Sequence, residues 1–143
     1  MELTGKRVVI TGASRGIGAE IAKVFASVGS QVVVSARTES AITKLADEID
    51  GIAVPLDAND PENVRTYIDR VESIAGPIDV LINNAGIEKS TLVEDITEHE
   101  IEETLRVNLL TPQLLTASVL PKMLSRGTGH LVYTSSIAAT VGN

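Results

Sequence analysis

Eight residues near the amino terminus, Thr11-Gly12-Ala13-Ser14-Arg15-Gly16-Ile17-Gly18, have the composition of an anion cradle. Glycine reaches positive φ without a steric penalty and lets backbone approach a ligand where a Cβ would collide. A helix opening at such a turn also aims unpaired N–H groups and its positive dipole end at whatever sits there. Gly12, Ser14, Arg15, Gly16, Ile17 and Gly18 are therefore candidate phosphate-binding residues, with a plain glycine-rich strand-to-helix turn as the ordinary alternative. A P-loop is excluded, because no Gly-Lys-Ser/Thr follows the glycines. A second charged position closes the run Val34-Ser35-Ala36-Arg37, where a dinucleotide fold reads the adenosine ribose. An acid there would accept from a 2′-hydroxyl and repel a 2′-phosphate, but none is present. Arg37, with Arg15 across from it, suits a 2′-phosphate through charge-assisted bonds worth roughly 1.5–3 kcal/mol each. Unless both arginines are simply solvated charges, NADP(H) is the preferred nucleotide and NAD(H) the alternative.

Hydroxyl chemistry gathers at the other end of the chain, in Leu131-Val132-Tyr133-Thr134-Ser135-Ser136. Ser136 would follow a fifth strand at the carboxyl end of a sheet, where open α/β folds bind ligands, and its hydroxyl could steady a developing alkoxide. Ser135 is turned to the other face by strand alternation, so Ser136 is preferred. Asn83 and Asn84 follow the fourth apolar run and read equally well as turn residues. Asn108 lies in a helical stretch, where an asparagine is ordinarily satisfied by a neighbouring carbonyl.

These residues need a scaffold, and the periodicity supplies one. Val8-Val9-Ile10, Val32-Val33-Val34, Ile52-Ala53-Val54, Val80-Leu81-Ile82 and Leu131-Val132-Tyr133 are continuous β-rich runs, as found in strands buried on both faces of a parallel sheet. Helical spacing fills the gaps. Ile17, Ile21, Val24, Phe25 and Val28 define one face of the first helix, with Gly29 as its stop. Val64, Ile68, Val71 and Ala75 repeat the pattern after Asp60 and Pro61, an N-cap followed by proline at the first helical position. Residues 98–124 are apolar nearly all round, which calls for burial on most sides, although Pro112 removes one backbone donor and could bend or end the helix. The alternation predicts an α/β, Rossmann-type doubly wound parallel sheet of five strands and about four helices, forming one domain over residues 1–143.

Composition narrows the function classes. With 143 residues, 43% of them hydrophobic, the chain can bury a core of its own. A net charge of −7, with no basic run, opposes nucleic-acid binding. No cysteine is present, so disulfides, thiolate metal sites and cysteine nucleophiles are excluded, and no metal site is expected. No apolar run approaches the roughly 18 residues of a membrane span, and the first residues do not read as a signal peptide. A cytoplasmic protein is the default expectation.

Taken in order, these motifs make the chain resemble the short-chain dehydrogenase/reductase family over its whole length, in particular its 3-oxoacyl-[acyl-carrier-protein] reductase-like members. Residues 11–18 are similar to the family's TGxxxGxG cofactor motif, and Asp57 to the acid that contacts adenine. Asn83-Asn84-Ala85-Gly86 resembles the NNAG signature, which puts Asn84, Ala85 and Gly86 along the cofactor. Asn108 resembles the helix asparagine that positions a proton-relay water, and Ser136 the serine that hydrogen-bonds the substrate carbonyl. The resemblance implies hydride transfer between a nicotinamide and a small-molecule carbonyl or alcohol, in a homo-oligomer joined through residues 98–124. The family's proton donor, a tyrosine in a Tyr-x-x-x-Lys pair about a dozen residues beyond the serine, would lie past Asn143. Tyr67 has Val71 four residues on and Tyr133 has Ile137, so neither matches, and the chain alone is expected to be a very poor catalyst, or a non-catalytic nucleotide-binding or interaction module. On the same comparison the sheet stops about the fifth strand, leaving residues 129–134 as an open edge.

Overall fold

The computed structural model describes residues 2–136. Five parallel strands alternate with helices in chain order: β1 (Arg7–Thr11), α1 (Gly16–Ser27), β2 (Gln31–Ser35), α2 (Glu39–Ile49), β3 (Ile52–Ala53), α3 (Pro61–Ala75), β4 (Val80–Asn83), α4 (Glu98–Leu105), α5 (Thr111–Arg126) and β5 (His130–Tyr133). The spatial order is β3-β2-β1-β4-β5. The chain therefore winds outward from β1 in one direction and returns past it in the other, which makes the gap between β1 and β4 the switch point of the sheet. Val8 and Val9 face Val32 and Val33 in β2, and Val80 and Leu81 in β4.

The central strands β1, β2 and β4 are buried on both faces, as their continuous apolar runs require. Alternate strand residues supply the two layers. Val9, Val33 and Leu81 meet Val64, Tyr67, Ile68 and Val71 of α3 and Leu115, Val119 and Met123 of α5. Val8, Ile10, Val32, Val34, Val80 and Ile82 meet Ala22, Ile42, Leu45 and Ala46 of α1 and α2. The start of α3 matches its sequence signals: the Asp60 side chain accepts from the Glu62 and Asn63 N–H groups, and Pro61 takes a position where no donor is needed. Gly29, at φ +82°, follows α1 as its stop.

Three expectations need correction. The apolar face assigned to α1 holds only in part: Ile21 and Phe25 pack against the core, but Ile17 is 66% and Val24 61% exposed, Val28 is exposed too, and Gly18 and Ala22 are the buried residues. Small residues win because they let α1 lie close on the sheet, which spacing alone does not reveal. The third run is shorter than expected, since only Ile52 and Ala53 pair with β2. Val54 is buried beyond the ladder and still donates to the Val34 carbonyl. The 98–124 segment is neither uniform nor fully buried: a wider π-helical turn, Arg106–Leu110, separates α4 from α5. Pro112 at the second position of α5 has no N–H for the carbonyl four residues back, so regular α-helical pairing cannot run through this point. Val107, Leu115, Val119 and Met123 are buried, while Leu105, Leu109, Leu110, Leu120 and Leu124 are exposed on this chain. Within the described residues β5 forms an outer strand, with Val132 and Tyr133 exposed.

Candidate functional site

A cleft of about 730 Å³ opens at the carboxyl ends of β1, β2 and β4, over the switch point. Gly12, Ser14, Arg15, Gly16, Ile17 and Gly18 line one side, Arg37 and Asp57 the far end, and Asn84, Ala85 and Gly86 the opposite side. Every cofactor-binding residue expected from sequence therefore borders one cavity. Of the two residues assigned to the reaction itself, Ser136 follows β5 and is exposed, and Asn108 sits in the π-helical turn outside the cleft lining. Ile137 and Ala138 of the serine motif lie outside the described residues.

The three loop glycines are required for different reasons. Gly12 has φ +67°, and a Cβ there would stand 2.7 Å from the Ala85 Cα, so it serves both the turn and the packing of loop on loop. Gly16 has φ +58° with open space around it, the property of backbone that faces a ligand. Gly18 is helical, but a Cβ would meet the Gly12 carbonyl at 2.5 Å and the Asn84 amide at 2.6 Å. Arg15 precedes α1 without a side-chain cap, and Thr38 precedes α2 in the same way. Both helix starts border the cleft, and their first-turn N–H groups have no capping side chain as partner.

Thr11, the last residue of β1, ties the two sides together. Its Oγ1 accepts from the backbone N–H groups of Asn84 and Ala85, both at 3.0 Å, and donates to the Ile82 carbonyl at 3.4 Å. The Asn84 side chain returns the link, donating to the Thr11 and Gly12 carbonyls, and its Oδ1 accepts from Thr134 at 3.1 Å. Asn84 is thus a joint between the glycine loop, the end of β4 and the segment leading to Ser136. Asn83, only 6% exposed, has no hydrogen-bond partner for either amide atom among the described residues. Asn108 is paired at both ends with the backbone of Ile87, accepting from its N–H and donating to its carbonyl, each at 2.8 Å.

Electrostatically the cleft floor is quiet and the rim is charged. Among the described residues neither Arg15 nor Arg37 forms a salt bridge or a side-chain hydrogen bond, so both guanidinium groups keep their donors available. Beside the rim, the Lys89 ammonium at 2.6 Å holds the Glu103 carboxyl below its usual range, with smaller contributions from His99 and Arg37. Asp57 keeps its Oδ1 on the Asn59 N–H, which turns the loop after β3 back along the cleft. Neither tyrosine lines the cleft. Tyr67 is fully buried against the Ser35 hydroxyl, and burial pushes its phenol pKa far up; Tyr133 bonds Thr116 at 2.5 Å. No cluster able to hold a metal ion occurs among the described residues, and none of their helices is long and apolar enough to cross a membrane.

Sequence reasoning quoted Thr11 and Thr134 within their motifs without assigning either a contact and gave Thr38 and Ala58 no role, although Thr38, Ala58 and Thr134 line the cleft and Thr11 ties its two sides together. For Thr11 and Thr134 the available signal was a threonine at the end of an apolar strand beside a glycine or asparagine turn. Ala58 carried no such mark.

Comparison with known proteins accords with this arrangement. The family model for the short chain dehydrogenases matches residues 6–143. The ketoacyl reductase HetN of Nostoc sp. is 37% identical over 98% of this chain, which covers 50% of that protein. The 3-oxoacyl-[acyl-carrier-protein] reductase FabG of Escherichia coli is 30% identical over the whole chain, covering 59% of that protein. The chain spans about half the length of the curated relatives it matches. Among solved structures, a metagenomic short-chain oxidoreductase in complex with NADP superposes with a TM-score of 0.92 at 32% identity, over 100% of this chain and 67% of that one. A short-chain type dehydrogenase/reductase from Mycobacterium marinum gives 0.89 at 34% identity, over 99% and 60%.

Proposed function

Because the chain belongs to the short chain dehydrogenase family, we propose that it forms the cofactor-binding part of an NADP(H)-dependent oxidoreductase acting on a small-molecule carbonyl or alcohol. The observation that carries the nucleotide preference is the far end of the cleft. Arg37 stands there with its guanidinium uncommitted, Ala36 occupies the position where an acid would read a ribose hydroxyl, and the uncapped start of α2 lies beside them. The residues present fit a dinucleotide: open backbone at Gly16 for the pyrophosphate, Leu56, Asp57 and Ala58 for the adenine, and Arg15 and Arg37 for a 2′-phosphate.

When bound, the cofactor supplies or accepts a hydride at nicotinamide C4. The chain's own residues would orient the reactants and handle protons. Thr11 and Asn84 keep the glycine loop and the 84–86 segment at fixed separation along the dinucleotide. Ser136, at the carboxyl end of β5, would donate its hydroxyl to the substrate oxygen. The Asn108 side chain makes one bond from each end of its amide to Ile87, and its main-chain carbonyl is the group that would hold a relay water. Pro112, four residues on, cannot donate to that oxygen, which supports the role.

General acid catalysis contributes typically 10²–10⁴-fold, and neither tyrosine of the chain borders the cleft to provide it. Residues 1–143 by themselves would bind nucleotide and turn over poorly for want of such a proton donor. The exposed leucines of α4 and α5 would pair with a second copy.

Replacing Ala36 by Asp tests the nucleotide assignment. A carboxylate beside the 2′-position should repel phosphate and accept from a hydroxyl, shifting a competition assay toward NADH by about tenfold or more. An unchanged preference would remove the assignment.

A further inference from the structure

Thr111 is 2% exposed, yet its hydroxyl is committed to neither its own helix nor water: Oγ1 donates to the Ala58 carbonyl at 2.6 Å, across 53 residues of sequence. A threonine in the first turn of a helix ordinarily bonds locally or faces solvent. Here the helix widens just before it. The Arg106–Leu110 turn precedes Thr111 directly, and the same turn carries Asn108, which holds Ile87 by two bonds of 2.8 Å. Ala58 and Ile87 both line the cleft, Ala58 in the irregular segment after β3 and Ile87 in the segment after β4. Thr111 and Asn108 themselves do not line it.

The segment from Leu56 to Asp60 is also held by burial of Leu56 and Ala58, Leu56 in the same core cluster as Leu115 of α5, and by the capping of α3 by Asp60. Leu56 donates to the Ala36 carbonyl, Asn59 and Asp60 donate to oxygens of Asp57, and the Asp57 N–H donates to the Asn63 side chain at 3.2 Å. These bonds are made within the segment, to β2's extension or to α3. Among the described residues, the Thr111 hydrogen bond is the one that joins the segment to α5.

We propose that Thr111 is a positioning residue: from the widened helix turn it fixes the adenine-side wall of the cleft, at Ala58, in register with the wall that Asn108 fixes at Ile87. Through that bond the spacing of the two walls is set by one short piece of helix behind them, and binding at the Asp57 end is coupled to the placement of Asn108. This rests on the nucleotide-binding reading above and adds a residue that touches no ligand.

The test uses the full chain with Thr111→Val, which keeps the shape and removes the donor, and Thr111→Ser, which restores it. Adenosine 2′,5′-bisphosphate, the adenine-side fragment, is titrated by calorimetry, and amide hydrogen exchange is followed without ligand. Thr111→Val should weaken the fragment by about fivefold, the effect of one hydrogen bond, and raise exchange at Asn59 and Asp60 while β1 and β4 stay protected. Thr111→Ser should return both readouts toward wild type. Wild-type affinity and unchanged exchange at Asn59 and Asp60 in Thr111→Val would overturn the proposal. So would a general rise in exchange that Thr111→Ser fails to reverse, since that marks plain core packing. If the wild-type chain binds neither the fragment nor NADPH, the nucleotide-binding reading itself fails and the inference falls with it.

Discussion

Replacing Gly12 by alanine puts the cleft geometry to a quantitative test, with Gly16 as the internal control. Both residues have positive φ, +67° and +58°. An alanine held in that region costs roughly 1–2 kcal/mol relative to the right-handed one, and this cost is common to both sites. Their surroundings differ. The new Cβ at Gly12 would lie 2.7 Å from the Ala85 Cα and 3.0 Å from its N, and backbone cannot swing away as a side chain can. Forcing a methyl into such a contact typically adds about 1–3 kcal/mol. At Gly16 nothing lies within 4 Å, so no second cost applies. Gly12→Ala should therefore lose about 2–5 kcal/mol of unfolding free energy and Gly16→Ala about 1–2. Urea unfolding reads the difference directly, because a slope of about 1–3 kcal/mol per molar separates the two midpoints clearly. Nucleotide affinity should rank the other way for the stability each variant retains: the Gly16 methyl points into the open cleft and should weaken binding more than folding. Equal stability losses at the two sites, or a Gly12→Ala protein within about 1 kcal/mol of wild type, would refute the close approach of Gly12 to Ala85.

Two further perturbations probe other links. Tyr67→Phe should cost about 1–3 kcal/mol by leaving the buried Ser35 hydroxyl without its partner, and Ser35→Ala in the same chain should recover part of that loss; strict additivity in a double-mutant cycle would deny the pairing. The Thr97 backbone N–H, with the Thr91 and Thr97 hydroxyls, holds the Glu100 carboxyl below its ordinary 4.5, so the α4 cap is favoured above that value and is lost as pH falls through the lower folded-state pKa. Protection of the first-turn amides of α4, taken relative to the intrinsic exchange rate at each pH, should fall as pH drops below 4.5 in the wild type and stay level in Glu100→Gln, whereas parallel profiles would contradict the capping box.

The sheet was legible because the runs of β1, β2 and β4 are strands buried on both faces and strict alternation with helices leaves one handedness of connection, whereas β5 pairs as expected but is largely exposed on this chain. The cofactor loop was legible for a similar reason, since glycines at that spacing between strand and helix have few uses. Where sequence reasoning failed, close packing had overridden periodicity. The stripe of Ile17, Val24 and Val28 obeys helical spacing, yet the buried residues Gly18 and Ala22 lie where α1 packs against β1 and β2. Pro112 announced an irregularity, but that the helix would widen over Arg106–Leu110 and continue depends on tertiary contacts that no local pattern encodes. The partners of Thr11, and any role for Thr111, escaped notice because a threonine's partner, here beyond another strand or 53 residues away, is set by the fold.

The most direct test of the account is a titration of the chain with NADPH and with NADH, followed by nicotinamide fluorescence. Saturable binding of both, with NADPH tighter by about tenfold or more as expected for one charge-assisted bond to a 2′-phosphate, is the predicted result. Equal affinity, or tighter NADH, would contradict the assignment of Arg15 and Arg37. Absence of binding to either would contradict the reading of the cleft as a dinucleotide site.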